Sequence, residues 1–116
     1  MGRVVLVVDD EPLVLMLTSS MLEDLGCEVV TADSGQRALD WLSADRRIEV
    51  LITDIKMPGM DGYELIAKAR NALPHLQVLI RSAHAKAELE SGLTVIRKPF
   101  SQEELARTMA HTMELC

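Results

Sequence analysis

Leu51-Ile52-Thr53-Asp54-Ile55-Lys56-Met57-Pro58-Gly59-Met60-Asp61-Gly62 decides the fold class. An apolar run stops at a single carboxylate, Asp54, and gives way to a turn-rich loop. A buried strand that ends on a lone acid puts that acid at its carboxyl end, where open parallel α/β sheets bind ligands. A second run, Val4-Val5-Leu6-Val7-Val8, ends in the pair Asp9-Asp10. If the two strands are neighbours, three acids meet at one edge of the sheet.

The rest of the chain bounds what those acids can do. Its 116 residues are enough for one domain with a real core, 1–116, and too few for two. The composition is 48% hydrophobic and 26% charged, as in water-soluble globular proteins. A formal charge of −6 and the lack of a Lys/Arg cluster argue against nucleic-acid binding by this domain. Cys27 and Cys116 show no CxxC spacing and have no His cluster beside them, so two reduced thiols in a cytoplasmic protein are expected. No apolar run approaches a membrane span, and the N-terminus lacks a signal-peptide pattern.

Two periods alternate along the chain. Arg3 to Val8 reads as a strand buried on both faces, and helical spacing follows from Pro12 to Leu25, with Gly26 placed to cap it. The inward stripe of this helix is expected to be Val14, Leu17, Met21, Leu22 and Leu25. That leaves Leu13, Leu15 and Met16 turned partly outward. Glu28 to Ala32 is a second strand. A helix from Gly35 to Ala44 follows, capped by Asp33 or Ser34, with Ala38, Leu39 and Leu42 inside.

Ile48 to Thr53 is the third strand. Asp61 can cap a third helix running to Asn71, with Glu64 at its third position. Leu76 to Arg81 and Thr94 to Arg97 are the fourth and fifth strands, and only a short helical pattern lies between them. Ser101-Gln102-Glu103-Glu104 has the form of a capping box for a last helix.

Strands alternating with helices make βαβ units, hence a doubly wound α/β fold of the flavodoxin-like kind, with a five-stranded parallel sheet and a shortened fourth helix. The order common to such sheets is 2-1-3-4-5, with the switch point between strands 1 and 3. Asp9, Asp10 and Asp54 would then converge. Three carboxylates within about 5 Å repel by roughly 3 kcal/mol per pair at an effective dielectric near 20. Oxygen-only ligands with room for water suit Mg²⁺. Ser82 follows strand 4 and Lys98 follows strand 5, so both can reach the same edge. A carboxylate, a divalent cation, a hydroxyl and an ammonium around one point make a phosphoryl site.

With these residues in view, the chain resembles the response-regulator receiver domains of two-component signalling. The pieces that carry the resemblance are Val7-Val8-Asp9-Asp10-Glu11-Pro12, Thr53-Asp54 through Asp61-Gly62, Ser82-Ala83 and Lys98-Pro99-Phe100, in order and at strand ends. The resemblance implies that Asp54 accepts phosphate from a histidine kinase, a histidine phosphotransfer domain or a small phosphodonor. It implies that Asp10 ligates Mg²⁺ directly and Asp9 through water, and that Asp54 and the backbone carbonyl of Lys56 complete the set. Ser82 and Lys98 would hold the phosphoryl oxygens, and His84 and Lys56 would flank the mouth.

Two positions depart from the family pattern. Val95 stands where many receivers carry an aromatic that swings inward, and the segment between Ser82 and Lys98 is short. The expectation is therefore a signalling receiver rather than an enzyme acting on a substrate. It would be either free-standing or part of a larger protein such as a hybrid kinase. Its rivals are an interaction module that takes no phosphate and an aspartyl-nucleophile phosphatase. The phosphatase pattern needs an acid two residues past the nucleophile, where this chain has Lys56.

Overall fold

The β-branched run near the N-terminus becomes the central strand of a parallel sheet. The structure is a computed structural model that describes residues 3–45, 47–82, 94–97, 103–105 and 107. All five residues of β1 (Val4–Val8) are buried, as a strand covered on both faces requires. On one side β1 pairs with β2 (Glu28–Ala32), Val8 opposite Ala32. On the other it pairs with β3 (Ile48–Asp54), Val8 opposite Thr53. β4 (Gln77–Ser82) pairs with β3, which places Arg81 opposite Asp54. The four strands run parallel in the order β2-β1-β3-β4. The backbone of β5 (Thr94–Arg97) runs parallel to β4, with Ser82 opposite Arg97.

Side-chain alternation sends two apolar sets to opposite faces. Val4, Leu6, Val8, Leu51, Val78 and Ile80 pack in one buried cluster with α2 (Gly35–Ala44) and α3 (Gly62–Ala72), through Ala38, Leu42, Leu65, Ile66 and Ala69. Val5, Val7, Val50, Ile52 and Leu79 form the other, with Leu22 of α1 (Pro12–Asp24) and Leu105. Helices thus cover both faces of the sheet. Residues 103–105 and 107 are helical, within the span expected for the last helix. The short helix expected between Ala83 and Gly92 lies outside the described residues.

The caps are the expected ones. Gly26, at φ 91°, ends α1 in a Schellman motif: its N–H donates to the carbonyl of Glu23 at 2.9 Å, and that of Cys27 to Leu22 at 3.0 Å. Ser34 accepts from Arg37 N–H at 3.2 Å, and Asp61 from Glu64 N–H at 2.9 Å.

Three expectations are corrected. Leu17 is 52% exposed rather than inward, and Leu15 is packed against the core rather than outward. Thr18 is buried at the place the apolar stripe was expected to fill. The cause is local: five consecutive apolar residues, Leu13 to Leu17, define no face, and a buried partner for the Thr18 hydroxyl sets the helix's rotation. Cys27 is disulfide-bonded rather than a reduced thiol.

Candidate functional site

The paired register of β1 and β3 brings the two strand ends side by side. One carboxylate oxygen from each of Asp9, Asp10 and Asp54 lies within 4.8 Å of the others. Among the described residues this is the one group of acids, imidazoles or thiols spaced to hold a metal ion, and its donors are all oxygen. That donor set fits a hard divalent cation. The three acids differ in setting: Asp9 is buried, Asp54 half-buried and Asp10 exposed.

Local hydrogen bonds hold each backbone and carboxylate in place. Asp9 N–H donates to the carbonyl of Ala32 on β2 at 3.2 Å, which extends the β1–β2 ladder by one residue. Asp9 Oδ1 accepts from Glu11 N–H at 2.9 Å, an Asx turn that bends the chain into α1. Asp54 Oδ1 accepts from Ile55 N–H at 2.8 Å.

The loop after β3 returns tightly. Gly62 N–H donates to the carbonyl of Ile55 at 2.8 Å, and a Cβ at Gly62 would sit 2.3 Å from the carbonyl oxygen of Asp54. Only glycine lets α3 begin that close to the acid. Gly59, at φ 78°, makes the preceding turn.

Lys56 is exposed and lines a shallow depression of about 560 Å³ with Ile55, Met57, Pro58, Gly59 and Asp61. Ser82 is the last residue of β4, one past the Asp54–Arg81 register pair. Lys98, Pro99 and His84 lie outside the described residues.

One residue of the site was missed in the sequence. Arg81 is fully buried, and one terminal nitrogen of its guanidinium pairs with Asp9 Oδ2. The other donates to Thr18 Oγ1 at 2.7 Å. Burial pushes the guanidinium down from its ordinary value, against the pull of Asp9 and Asp54, yet an arginine stays charged. The signal was available in the alternation. Leu79 and Arg81 share a face of β4, so an arginine there must enter the interior and find an acid.

The match with known proteins decides the family. Residues 5–110 fit the response regulator receiver domain. The chain belongs to the receiver domains.

Its relatives are parts of longer proteins. Over 112 residues the receiver domain is 38% identical to the sensor histidine kinase RcsC of Salmonella typhi, covering 91% of this chain and 12% of that protein. It is 33% identical to the sensor protein GacS of Pseudomonas syringae over 90% of this chain and 13% of that protein. For the transcriptional regulatory protein GlrR of Escherichia coli K12 the figures are 32%, 94% and 26%. The chain thus spans about an eighth to a quarter of the length of these relatives.

Among solved structures, the chemotaxis protein CheY4 of Vibrio cholerae superposes with a TM-score of 0.89 at 30% identity, over 97% of this chain and 100% of that one. The receiver domain of the hybrid histidine kinase CckA superposes at 0.79 and 33%, over 95% and 98%. The domain is a phosphoacceptor module of two-component signalling, with the flavodoxin-like α/β fold of that family.

Proposed function

We propose that this receiver accepts a phosphoryl group on Asp54 and that Asp9, Asp10 and Asp54, with the backbone carbonyl of Lys56, hold Mg²⁺. The convergence of three carboxylates within 4.8 Å at the carboxyl edge of the sheet carries the proposal. Of the three, Asp54 stands at the end of β3 with its carboxylate fixed by the Ile55 amide and part of its surface open to a donor. A carboxylate oxygen lone pair of Asp54 attacks phosphorus while the bond from phosphorus to the donor's imidazole nitrogen, or to an acyl oxygen, breaks. The leaving imidazole nitrogen takes its proton from water. Mg²⁺, when bound, neutralises charge on the transferring oxygens. Ser82, the last residue of β4, and Lys98, next in sequence after β5, supply a hydroxyl and an ammonium to the same group. In this reading β5 completes the sheet order 2-1-3-4-5 and the fourth helix is short. The domain promotes only its own phosphorylation and dephosphorylation, and it works in the cytoplasm.

The donor is a histidine kinase or histidine phosphotransfer domain that docks over the first turns of α1. Leu13 and Met16 are 61% and 60% exposed there, next to Asp9 and Asp10. Apolar residues in that position suit a helical partner. Leu13→Lys and Met16→Lys are expected to slow transfer from the phosphohistidine protein while leaving acetyl phosphate labelling unchanged. Equal slowing with both donors would show damage to the site instead.

Incubation with acetyl phosphate and Mg²⁺ tests the core of the proposal. Wild type is expected to gain one phosphoryl group, about 80 Da by mass spectrometry (the mass of HPO₃). Asp54→Asn is expected to gain none. An adduct at the wild-type rate on Asp54→Asn rejects the assignment. Rapid turnover of the phosphodonor with no adduct marks a phosphatase, and no reaction at all marks an interaction module.

A further inference from the structure

The buried arginine is the part of the site that the phosphoacceptor reading leaves unused. Arg81 reaches from β4 past Asp54, its register partner on β3, to Asp9 at the end of β1. Three observations fix its character. Its surface is wholly buried, so its charge is screened by no bulk water. Its Nε has no hydrogen-bond partner, so the side chain is held by its two terminal nitrogens, on Asp9 and Thr18. Both of those partners are themselves buried. A buried guanidinium with an unsatisfied N–H adds little to stability by itself, since an apolar side chain of similar volume would pack at least as well. Its location therefore calls for another reason, and the charge it faces supplies one. Asp9, Asp10 and Asp54 together carry three negative charges within one site.

We propose that Arg81 is the resident counter-cation of this site. It balances Asp9 when no divalent ion is bound, and it thereby weakens the hold of the three acids on Mg²⁺. The inference rests on the metal reading given above and adds a residue that tunes it. Arg81 is a positioning residue: it acts through Asp9, whose second oxygen it occupies while the first accepts from Glu11 N–H. A cation entering the cluster meets a carboxylate already partnered and a positive charge fixed one side chain away. Both effects lower affinity, and both disappear with the guanidinium.

Two variants and two readouts that involve no phosphorylation test this. Arg81→Met keeps a long flexible apolar chain and removes the charge. Its Mg²⁺ dissociation constant, by titration calorimetry, is expected to fall tenfold or more. Its melting temperature without metal is expected to drop, and its gain on adding Mg²⁺ to exceed that of the wild type. Arg81→Lys keeps the charge and loses the fork, and is expected to bind Mg²⁺ within about threefold of wild type.

Equal tightening in both variants would assign Arg81 a packing role and overturn the proposal. So would an unchanged dissociation constant in Arg81→Met when the wild type binds Mg²⁺. If Arg81→Met folds only when Mg²⁺ is present, the metal is standing in for the guanidinium, which supports the proposal. If it folds under neither condition, Arg81→Lys decides: wild-type affinity supports the charge role and tightened affinity overturns it. Absence of Mg²⁺ binding by the wild type itself would overturn the proposed function and this inference together.

Discussion

Two arginines in this domain, at opposite ends of the sheet, each hold a carboxylate and a second polar group, and they teach opposite lessons. Arg81 joins Asp9 and Thr18 in the interior. Arg47 joins Glu28 at 3.1 Å and Asp45 at 3.0 Å on the surface, where its side chain is 67% exposed. The contacts have the same chemistry. Water around Arg47 offers each group a substitute partner, so the net worth of that cluster is small and salt-dependent. The interior offers Arg81 and Asp9 no substitute, so losing one leaves the other desolvated and uncompensated. Carboxyl ends of the strands hold the buried cluster and amino ends the exposed one, which matches where a parallel α/β sheet keeps its chemistry.

The sharpest way to break this contrast is to neutralise Asp9 and Asp54 in turn. Each substitution removes one of three mutually repelling acids, so repulsion alone predicts that both raise metal-free stability. Asp9→Asn also strips Arg81 of its buried partner, at a cost of about 3–5 kcal/mol. Urea unfolding without metal is therefore expected to show Asp9→Asn strongly destabilised and Asp54→Asn neutral or stabilised. Stabilisation of both variants would mean that the guanidinium pair carries no weight.

A smaller effect separates geometry from charge at the same end of the sheet. Gly62→Ala adds no charge, yet its Cβ meets the Asp54 carbonyl oxygen at 2.3 Å and Ile55 Cα at 2.8 Å, both backbone atoms that cannot rotate away. The overlap is expected to cost about 1–3 kcal/mol, as overpacking does, even though alanine is the better helix former. Because the shift falls on Asp54 itself, acetyl phosphate labelling is expected to slow as well. Unaltered labelling in a destabilised variant would show that α3, rather than β3, gives way.

These residues also mark how far the sequence could be read. β2 and α2 begin and end where turn chemistry and periodicity placed them, because Gly26, Ser34 and the β-branched run leave little choice. Asp9, Asp10 and Asp54 were legible for the same reason: each interrupts an apolar run, and two parallel strands set side by side bring them together. Arg81 and Thr18 were not read, because a buried polar residue on an otherwise apolar face looks like an error until its partner is known. The alternation shows that Arg81 turns inward, but a pattern of hydrophobic and polar residues does not say which polar groups it meets there. Leu15 and Leu17 were exchanged as a consequence, since the face of α1 is fixed by Thr18 and not by its leucines.

The exposed cluster gives the smallest expected effect, and its sign with pH is determined. Hydrogen bonds and the charge of Arg47 hold the Asp45 carboxyl below the usual carboxylate range, and Asp45 with Glu28 holds the Arg47 guanidinium up. A carboxyl lowered in the folded state contributes stability above its unfolded value, about pH 4. That contribution is lost as pH falls through the folded value. Arg47→Ala is therefore expected to lower the melting temperature slightly at neutral pH and low salt. The difference should shrink with added salt, because exposed charges are screened. It should also narrow as pH drops below the carboxylate range, where Asp45 is protonated in both proteins. Arg81→Met offers the matching scan. Its metal-free deficit against wild type should survive added monovalent salt, because the contact between Asp9 and the guanidinium is buried and bulk salt screens it little. A deficit at position 81 that salt erased as readily as the one at position 47 would remove the distinction between the two ends of the sheet.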